Sequence, residues 1–328
     1  MRNLLTDIPG IAVGHATDAA LGSGVTAILF DRPATASAII LGGAPGSRDT
    51  AMLEPEMTRQ EVDGFVLAGG SAFGLDAAGG VQAWLRAAGR GLDIRGAIVP
   101  LVPQAIIFDL LNGGDKNWGL FSPYRDMGHA AAAAASHGAF ALGSVGGGTG
   151  ATTATAKGGV GSASARAASG HLVAAIVVVN AVGSATIGGG PHFWAAPFEI
   201  DGEFGGRGWP AAFAPADLAA RLKGGPAPAT TIGLIATDAA LTKGQAKRLA
   251  IMANDGLARA ILPAHAPNDG DTIFAAATGA VPMHEDELVQ IGHTATQVMA
   301  RAIARGVYEA TALPHPGAMA GWAARFGY

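Results

Sequence analysis

The junction Ala229-Thr230 offers the most demanding chemistry in this chain. Thr230 opens the β-branched run Thr230-Thr231-Ile232-Gly233-Leu234-Ile235-Ala236-Thr237, directly after the linker-like stretch Gly224-Gly225-Pro226-Ala227-Pro228-Ala229. A cut before Thr230 frees an α-amine next to a hydroxyl. Such an amine has an unperturbed pKa of about 7.7–8.0, so it accepts the hydroxyl proton near neutral pH without a histidine. Threonine also favours strands for its own sake, and on residue physics alone ordinary strand initiation stands beside the nucleophile reading. A second candidate is Asn268-Asp269-Gly270-Asp271-Thr272. If this run is a strand, Asp269 and Asp271 point to one face, where their repulsion is tolerable only with a cation or a hydrogen-bond donor between them. A turn followed by a cap is the plainer reading. Calcium does not fit, because Gly279 or Ala280 stands where an EF-hand loop needs its last Glu. The third candidate is Lys157, one of five lysines and the only charge between Gly143 and Gly161. A lone ammonium among apolar residues pays for desolvation unless it meets an opposite charge.

Other chemistries are excluded by spacing or composition. Gly146-Gly147-Gly148-Thr149-Gly150 does not satisfy the dinucleotide fingerprint, and Lys157 lies between Ala156 and Gly158 rather than in a Gly-Lys-Ser/Thr triplet. Ser71 lacks the second glycine of a hydrolase elbow, since Phe73 occupies that place. The nine histidines show no metal-ligand spacing, and His284-Glu285-Asp286-Glu287 reads as an exposed helix start. With no cysteine, disulfides, thiolate zinc sites and a Cys nucleophile are all out. A net charge of −4 without a basic block argues against nucleic acid as a partner. The longest apolar run, Leu172 to Val179, is too short to cross a bilayer, and the first residues lack a signal peptide's apolar core, so a cytoplasmic location and no membrane partner are expected.

The elements that must position these residues are those of a layered α+β domain. The chain has 328 residues, is 49% hydrophobic and only 14% charged, and contains 50 glycines, roughly twice the usual share. Small residues in that number let backbones and layers approach closely. Ile8 to Val13 and Gly24 to Phe30 read as strands, the second ending at Asp31-Arg32-Pro33. Phe65 to Ala68 runs as a strand into Gly69-Gly70 and then a helix over Leu75 to Ala88. Ile98 to Asp109 reads as a strand broken by Pro100 and Pro103, residues 110–126 as loop, Ala130 to Ala135 as helix and Leu172 to Val182 as a buried strand. Leu241 to Ile261, with Thr242 as N-cap, and Glu287 to Arg305 carry helix spacing.

Four segments, in order, resemble the P1 family of self-cleaving, DmpA-like peptidases, which includes the L-aminopeptidase/D-esterase and the β-peptidyl aminopeptidases. They are Leu5 to His15, Gly64 to Leu75, Gly143 to Ser164 and Thr230 to Thr242. Within that family the threonine at 230 and the Asp-Gly-Asp triplet are most similar to the 6-aminohexanoate-oligomer (nylon oligomer) hydrolases. The resemblance implies an N-terminal-nucleophile-like α/β/β/α sandwich, one domain spanning 1–328 and self-cleaved at Ala229/Thr230 into pieces 1–229 and 230–328. It implies Thr230 as nucleophile and Asp269 and Asp271 as the carboxylates that orient its amine and hydroxyl. Lys157 would be the cation that keeps both acids ionised, Asn180 the oxyanion donor, and Tyr124 the pocket tyrosine. It also implies a homo-oligomer, often a tetramer, an amide substrate, and no metal or organic cofactor. Family members usually have Asn or Gly before the nucleophile, where this chain has Ala229. An ornithine acetyltransferase-like enzyme shares the self-cleaving threonine, but its expected surroundings do not match Ala227-Pro228-Ala229-Thr230-Thr231, and two other readings stay open beside it. One is an aminopeptidase on short peptides with D- or β-residues, which binds a free substrate amine. The other is an uncleaved, non-enzymatic oligomer or binding module.

Overall fold

The computed structural model describes residues 1–224 and 229–327. Its strands are β1 (Ile11–Asp18), β2 (Ser23–Ile40), β3 (Ser47–Arg48), β4 (Glu61–Ala68), β5 (Leu92–Ile94), β6 (Ala97–Val99), β7 (Gln104–Ile106), β8 (Val160–Arg166), β9 (Leu172–Asn180), β10 (Thr230–Ala239) and β11 (Thr272–Val281). The helices are α1 (Ser71–Gly74), α2 (Ala77–Ala87), α3 (Tyr124–Ala133), α4 (Lys243–Ala260), α5 (Leu288–Tyr308) and α6 (Trp322–Phe326). The main sheet runs β3-β7-β4-β2-β11-β10-β9-β8, with β1 beside β2, while β5 and β6 form a separate hairpin.

Strand β2 joins the two halves of that sheet. Its first part pairs with β1 and β4, and its second, Thr35 to Ile40, with β11. The expected stop at Asp31-Arg32-Pro33 is instead an exposed irregularity where the register with β4 shifts between Leu29 and Ala34. Pro33 has no N–H to give a ladder, and a bulge is where a strand tolerates it.

Three apolar clusters divide the molecule into four layers. Val25, Leu29, Val66, Val81, Leu85 and Ala131 fill the space between the first sheet half and α2 and α3. Phe30, Phe65, Ile176, Val178, Leu234 and Phe274 lie between the two sheet halves. Val177, Ile235, Ile273, Leu249, Leu257, Met299 and Ile303 join the second half to α4 and α5. The expected α/β/β/α sandwich is the observed one. Strand β9, buried along its whole length, has the continuous apolar sequence of a strand covered on both faces.

Glycine sets the layer spacing. A Cβ at Gly161 would stand 1.8 Å from the Ala302 carbonyl oxygen, and one at Gly128 would stand 2.0 Å from that of Ala77. Backbones therefore touch at β8 on α5 and at α3 on α2. This requirement also hid β8 from sequence reading, because Val160-Gly161-Ser162-Ala163-Ser164 lacks the branched residues that announce a strand. Helix α4 starts as its residues predict: Thr242 caps it, the side chain accepting from the Gln245 N–H at 3.3 Å. Among the described residues no helix is long and apolar enough to cross a membrane.

Candidate active site

Three neighbouring strand ends build the site. β10 lies between β9, antiparallel to it, and β11, parallel to it. That register places Thr230, the first residue of β10, directly opposite Asn180, the last of β9. The parallel side begins one residue earlier, where Ala229 bridges to Asp269. The Ala229 N–H donates to the Asn268 carbonyl at 3.1 Å, and the Gly270 N–H donates to the Ala229 carbonyl at 2.9 Å. The Thr230 hydroxyl donates to that same carbonyl. The one peptide bond that the sequence marks for cutting is thus buried, with a backbone donor on its oxygen and a hydroxyl beside it. A donor fixed on a carbonyl stabilises the charge that builds there during attack.

Both acids face this bond from the loop entering β11, each with its own donors. Asp271 Oδ1 accepts from the Thr231 N–H at 2.6 Å, while Oδ2 accepts from the His265 N–H at 3.0 Å and pairs with His265 Nδ1 at 2.8 Å. Asp269 accepts from the Val182 N–H at 3.2 Å and the Ala266 N–H at 3.1 Å. Burial, and then the neighbouring Asp271 charge, push the Asp269 carboxyl up to about 6. Backbone donors thus offset only part of the repulsion expected between the two acids.

Asn180 is oriented by three partners. Its Oδ1 accepts from the Thr152 N–H and from Lys223 Nζ, both at 3.0 Å, and its Nδ2 donates to the Phe108 carbonyl at 3.2 Å. With Oδ1 committed to two donors the amide cannot flip, and one Nδ2 hydrogen is left without a partner among the described residues. Lys157 is equally buried, but its ammonium donates to the carbonyls of Gly148, Ala151 and Gly158 at 3.2, 2.7 and 2.8 Å. Burial brings it down to about 7, against the pull of Asp109, and Lys223 lowers it further. The cation that Asp269 faces is Lys223, itself lowered to about 7 by burial. The structure thus brings together Thr230, Ala229, Asp269, Asp271 and Asn180, and sets Lys157 among the carbonyls of Gly148, Ala151 and Gly158.

Tyr124 stands apart from that group. Its hydroxyl donates to Ser23 Oγ at 3.0 Å, and Ser23 Oγ donates to the buried Asp109 at 2.7 Å. Burial, then the Asp109 charge, raise the tyrosine above its ordinary value. Asp109 also accepts from the Gly70 N–H at 2.8 Å, and the next residue back, Phe108, holds Asn180. Tyr124 therefore supports the loop behind Asn180 and gives its hydrogen bond to none of the five residues at the junction.

Three residues of the site escaped sequence reading. Gly270 was visible only as a turn glycine, yet its N–H meets the Ala229 carbonyl. His265 has φ +56°, a strained conformation for a non-glycine residue, and its ring bridges Asp271 to Asn254 Nδ2 at 3.0 Å. A signal for Lys223 was present: it is one of only five lysines and immediately precedes the Gly-Pro-Ala linker. Residues 225–228 of that linker lie outside the described residues. Among the described residues no cluster of three or more His, Asp or Glu side chains is arranged to hold a metal ion.

Comparison with known proteins shows the family and the fold. The profile of peptidase family S58 matches residues 3–319. An uncharacterized aminopeptidase of Mycobacterium tuberculosis is 44% identical over 332 residues, covering 94% of each chain. One of Mycobacterium leprae is 44% identical over 299 residues, covering 85% of this chain and 79% of its own. In structure, a Burkholderia sp. beta-aminopeptidase superposes with TM-score 0.72 at 23% identity, covering 98% of this chain and 91% of that one. An L-aminopeptidase D-Ala-esterase/amidase from Ochrobactrum anthropi, described as a new variant of the Ntn-hydrolase fold, gives 0.69 at 21% identity, covering 96% and 88%. The chain belongs to peptidase family S58 and has this Ntn-hydrolase variant fold.

Proposed function

We propose, from the chain's membership of peptidase family S58, that it cuts itself between Ala229 and Thr230 and then acts as an aminopeptidase on short peptides. The observation that carries the reading is the Ala229 carbonyl, which receives the Gly270 N–H at 2.9 Å and lies against the Thr230 hydroxyl. In maturation Thr230 Oγ1 bonds to the Ala229 carbonyl carbon, the C–N bond breaks, and the hydroxyl proton ends on the departing nitrogen. Water then hydrolyses the ester to a carboxylate at Ala229 and a free amine and hydroxyl at Thr230. In turnover that amine takes the hydroxyl proton, Oγ1 bonds to the substrate carbonyl carbon, the substrate C–N bond breaks as the amine returns the proton to the leaving nitrogen, and water then hydrolyses the acyl ester to release the acid and restore the Thr230 hydroxyl. The unpartnered Nδ2 hydrogen of Asn180 is the donor for the oxyanion. Asp271, fixed by His265 and the Thr231 N–H, and Asp269 hold the strand start that carries the new amine.

The aminopeptidase names of the mycobacterial relatives support peptides over 6-aminohexanoate oligomers as the substrate class. One assay separates the readings: a panel of short peptide amides with free or N-acetylated amino ends, beside 6-aminohexanoate oligomers. Turnover of the free-amine peptides and loss of it on acetylation is the expected result. Equal turnover of acetylated peptides, or turnover of the oligomers alone, would reject the aminopeptidase assignment while keeping the nucleophile. An intact, inactive chain would favour the binding-module reading.

A further inference from the structure

The cation at this site comes from the wrong side of the proposed cut. Lys223 lies seven residues before Thr230, on the piece that ends at Ala229. Its ammonium donates to both oxygens of Asn180, Oδ1 at 3.0 Å and the backbone carbonyl at 3.2 Å, and Asp269 is the carboxylate that it faces. The buried ammonium of Lys157 is committed to three backbone carbonyls. The segment carrying Lys223 has little backbone hydrogen bonding to the rest of the fold. Residues 218–222 and 224 are exposed, and among the described residues their stretch is tied to the fold's backbone by the Lys223 N–H to the Val182 carbonyl at 2.8 Å. Asp217 and Arg221 lie against Gly188 and Gly189, and the segment is joined covalently through the linker to the buried Ala229.

We propose that Lys223 is a positioning residue of the uncut chain alone: it fixes the Asn180 amide and balances Asp269 for self-cleavage, and leaves the site with its segment once the chain is cut. The inference rests on the self-cleavage reading. Cutting alters the charges in a way that drives the exchange. A carboxylate appears at Ala229, whose bridge partner is Asp269 and beside which Asp271 also lies. Three buried carboxylates at one strand end repel one another, and the new one is the end of a chain free to reach water. An amine appears at Thr230, opposite Asn180 at the same strand end, and takes over the balancing role of the departing ammonium.

The test compares the uncut Thr230→Ala chain with mature wild-type protein under limited trypsin digestion at the Lys223–Gly224 bond. Local opening, rather than sequence, sets such cleavage. At least a tenfold faster cut in the mature protein, roughly the contrast expected when charge-assisted hydrogen bonds are lost, is the predicted result. Equal resistance in both would overturn the proposal by making Lys223 a permanent member of the site. In parallel, Lys223→Met should slow self-cleavage by about tenfold or more, and Lys223→Arg, which keeps the charge, should hold it within about threefold of wild type. Cleavage of Lys223→Met at the wild-type rate would also refute it. Should Lys223→Met fail to fold, the Arg variant and the trypsin comparison still decide. A wild-type chain that never cuts would instead remove the reading beneath the proposal, and is recognised by intact mass before any digestion.

Discussion

Gly270→Ala is the substitution whose effect can be worked most fully from the structure. A Cβ at position 270 would stand 2.8 Å from the Ala44 carbonyl oxygen, 2.9 Å from Thr230 Oγ1 and 3.2 Å from Pro45 Cα. The first two are closer than real Cβ atoms come. Residue 44 is itself held, its N–H donating to the Asp269 carbonyl at 2.8 Å, so it yields little. The strain therefore falls on the Thr230 hydroxyl and on the Gly270 N–H, the two groups at the Ala229 carbonyl. Loss of one fixed oxyanion donor costs about 10²–10³ in rate, or about 2.7–4 kcal/mol. Overpacking of this kind costs about 1–3 kcal/mol of stability, which leaves a domain of this size folded. The assay is a time course of intact mass under denaturing conditions after rapid purification, with a melting curve to confirm folding. A folded Gly270→Ala chain that cuts itself at the wild-type rate would refute the role assigned to this N–H.

The remaining predictions concern the nucleophile, the acids and the packing. Thr230→Ser should retain self-cleavage and hydrolysis in part and Thr230→Ala neither, as read by intact mass and amine release. With Asp269 raised to about 6 and Lys223 lowered to about 7, self-cleavage that needs both charged should rise with pH through about 6 and fall beyond about 7; a flat profile over that range would contradict their roles. The raised Asp269 binds its proton more tightly in the folded chain, so its stabilising contribution is present in acid and is lost as pH climbs from the ordinary 3.8 to about 6. Asp269→Asn should accordingly gain stability relative to wild type across that interval, measured by denaturation at several pH values. His265→Ala removes the ring donor to Asp271 and should cost about 1–3 kcal/mol together with slower self-cleavage, by melting and intact mass. Gly161→Ala sets a methyl 1.8 Å from the Ala302 carbonyl oxygen and should lower the melting temperature sharply by forcing α5 off β8.

Much of this was legible in the residues because local signals and tertiary roles agreed. The continuous apolar run of β9, the capped start of α4 and the β-branched opening of β10 each say in sequence what they do in the fold. β8 was not legible: its small residues are chosen by the approach of α5, a contact with a helix more than a hundred residues later. Strand β2 ran past an apparent stop because a bulge absorbed Pro33. At the site, Thr230, Asp269, Asp271 and Asn180, the residues singled out through the family resemblance, meet at adjoining strand ends. The polar partners were a different matter. Lys157 and Lys223 are both lysines beside glycine-rich stretches, and only the three-dimensional path shows that Lys223 meets Asn180 while Lys157 is spent on carbonyls. His265 depends on a backbone conformation that no spacing encodes.

The most direct test of the account is the intact mass of freshly purified wild-type protein under denaturing conditions. Two fragments, one ending at Ala229 and one beginning at Thr230, together making up the 32.5 kDa chain, are predicted. A single species at 32.5 kDa after long incubation would contradict self-cleavage, and with it the assignment of Thr230 as an N-terminal nucleophile.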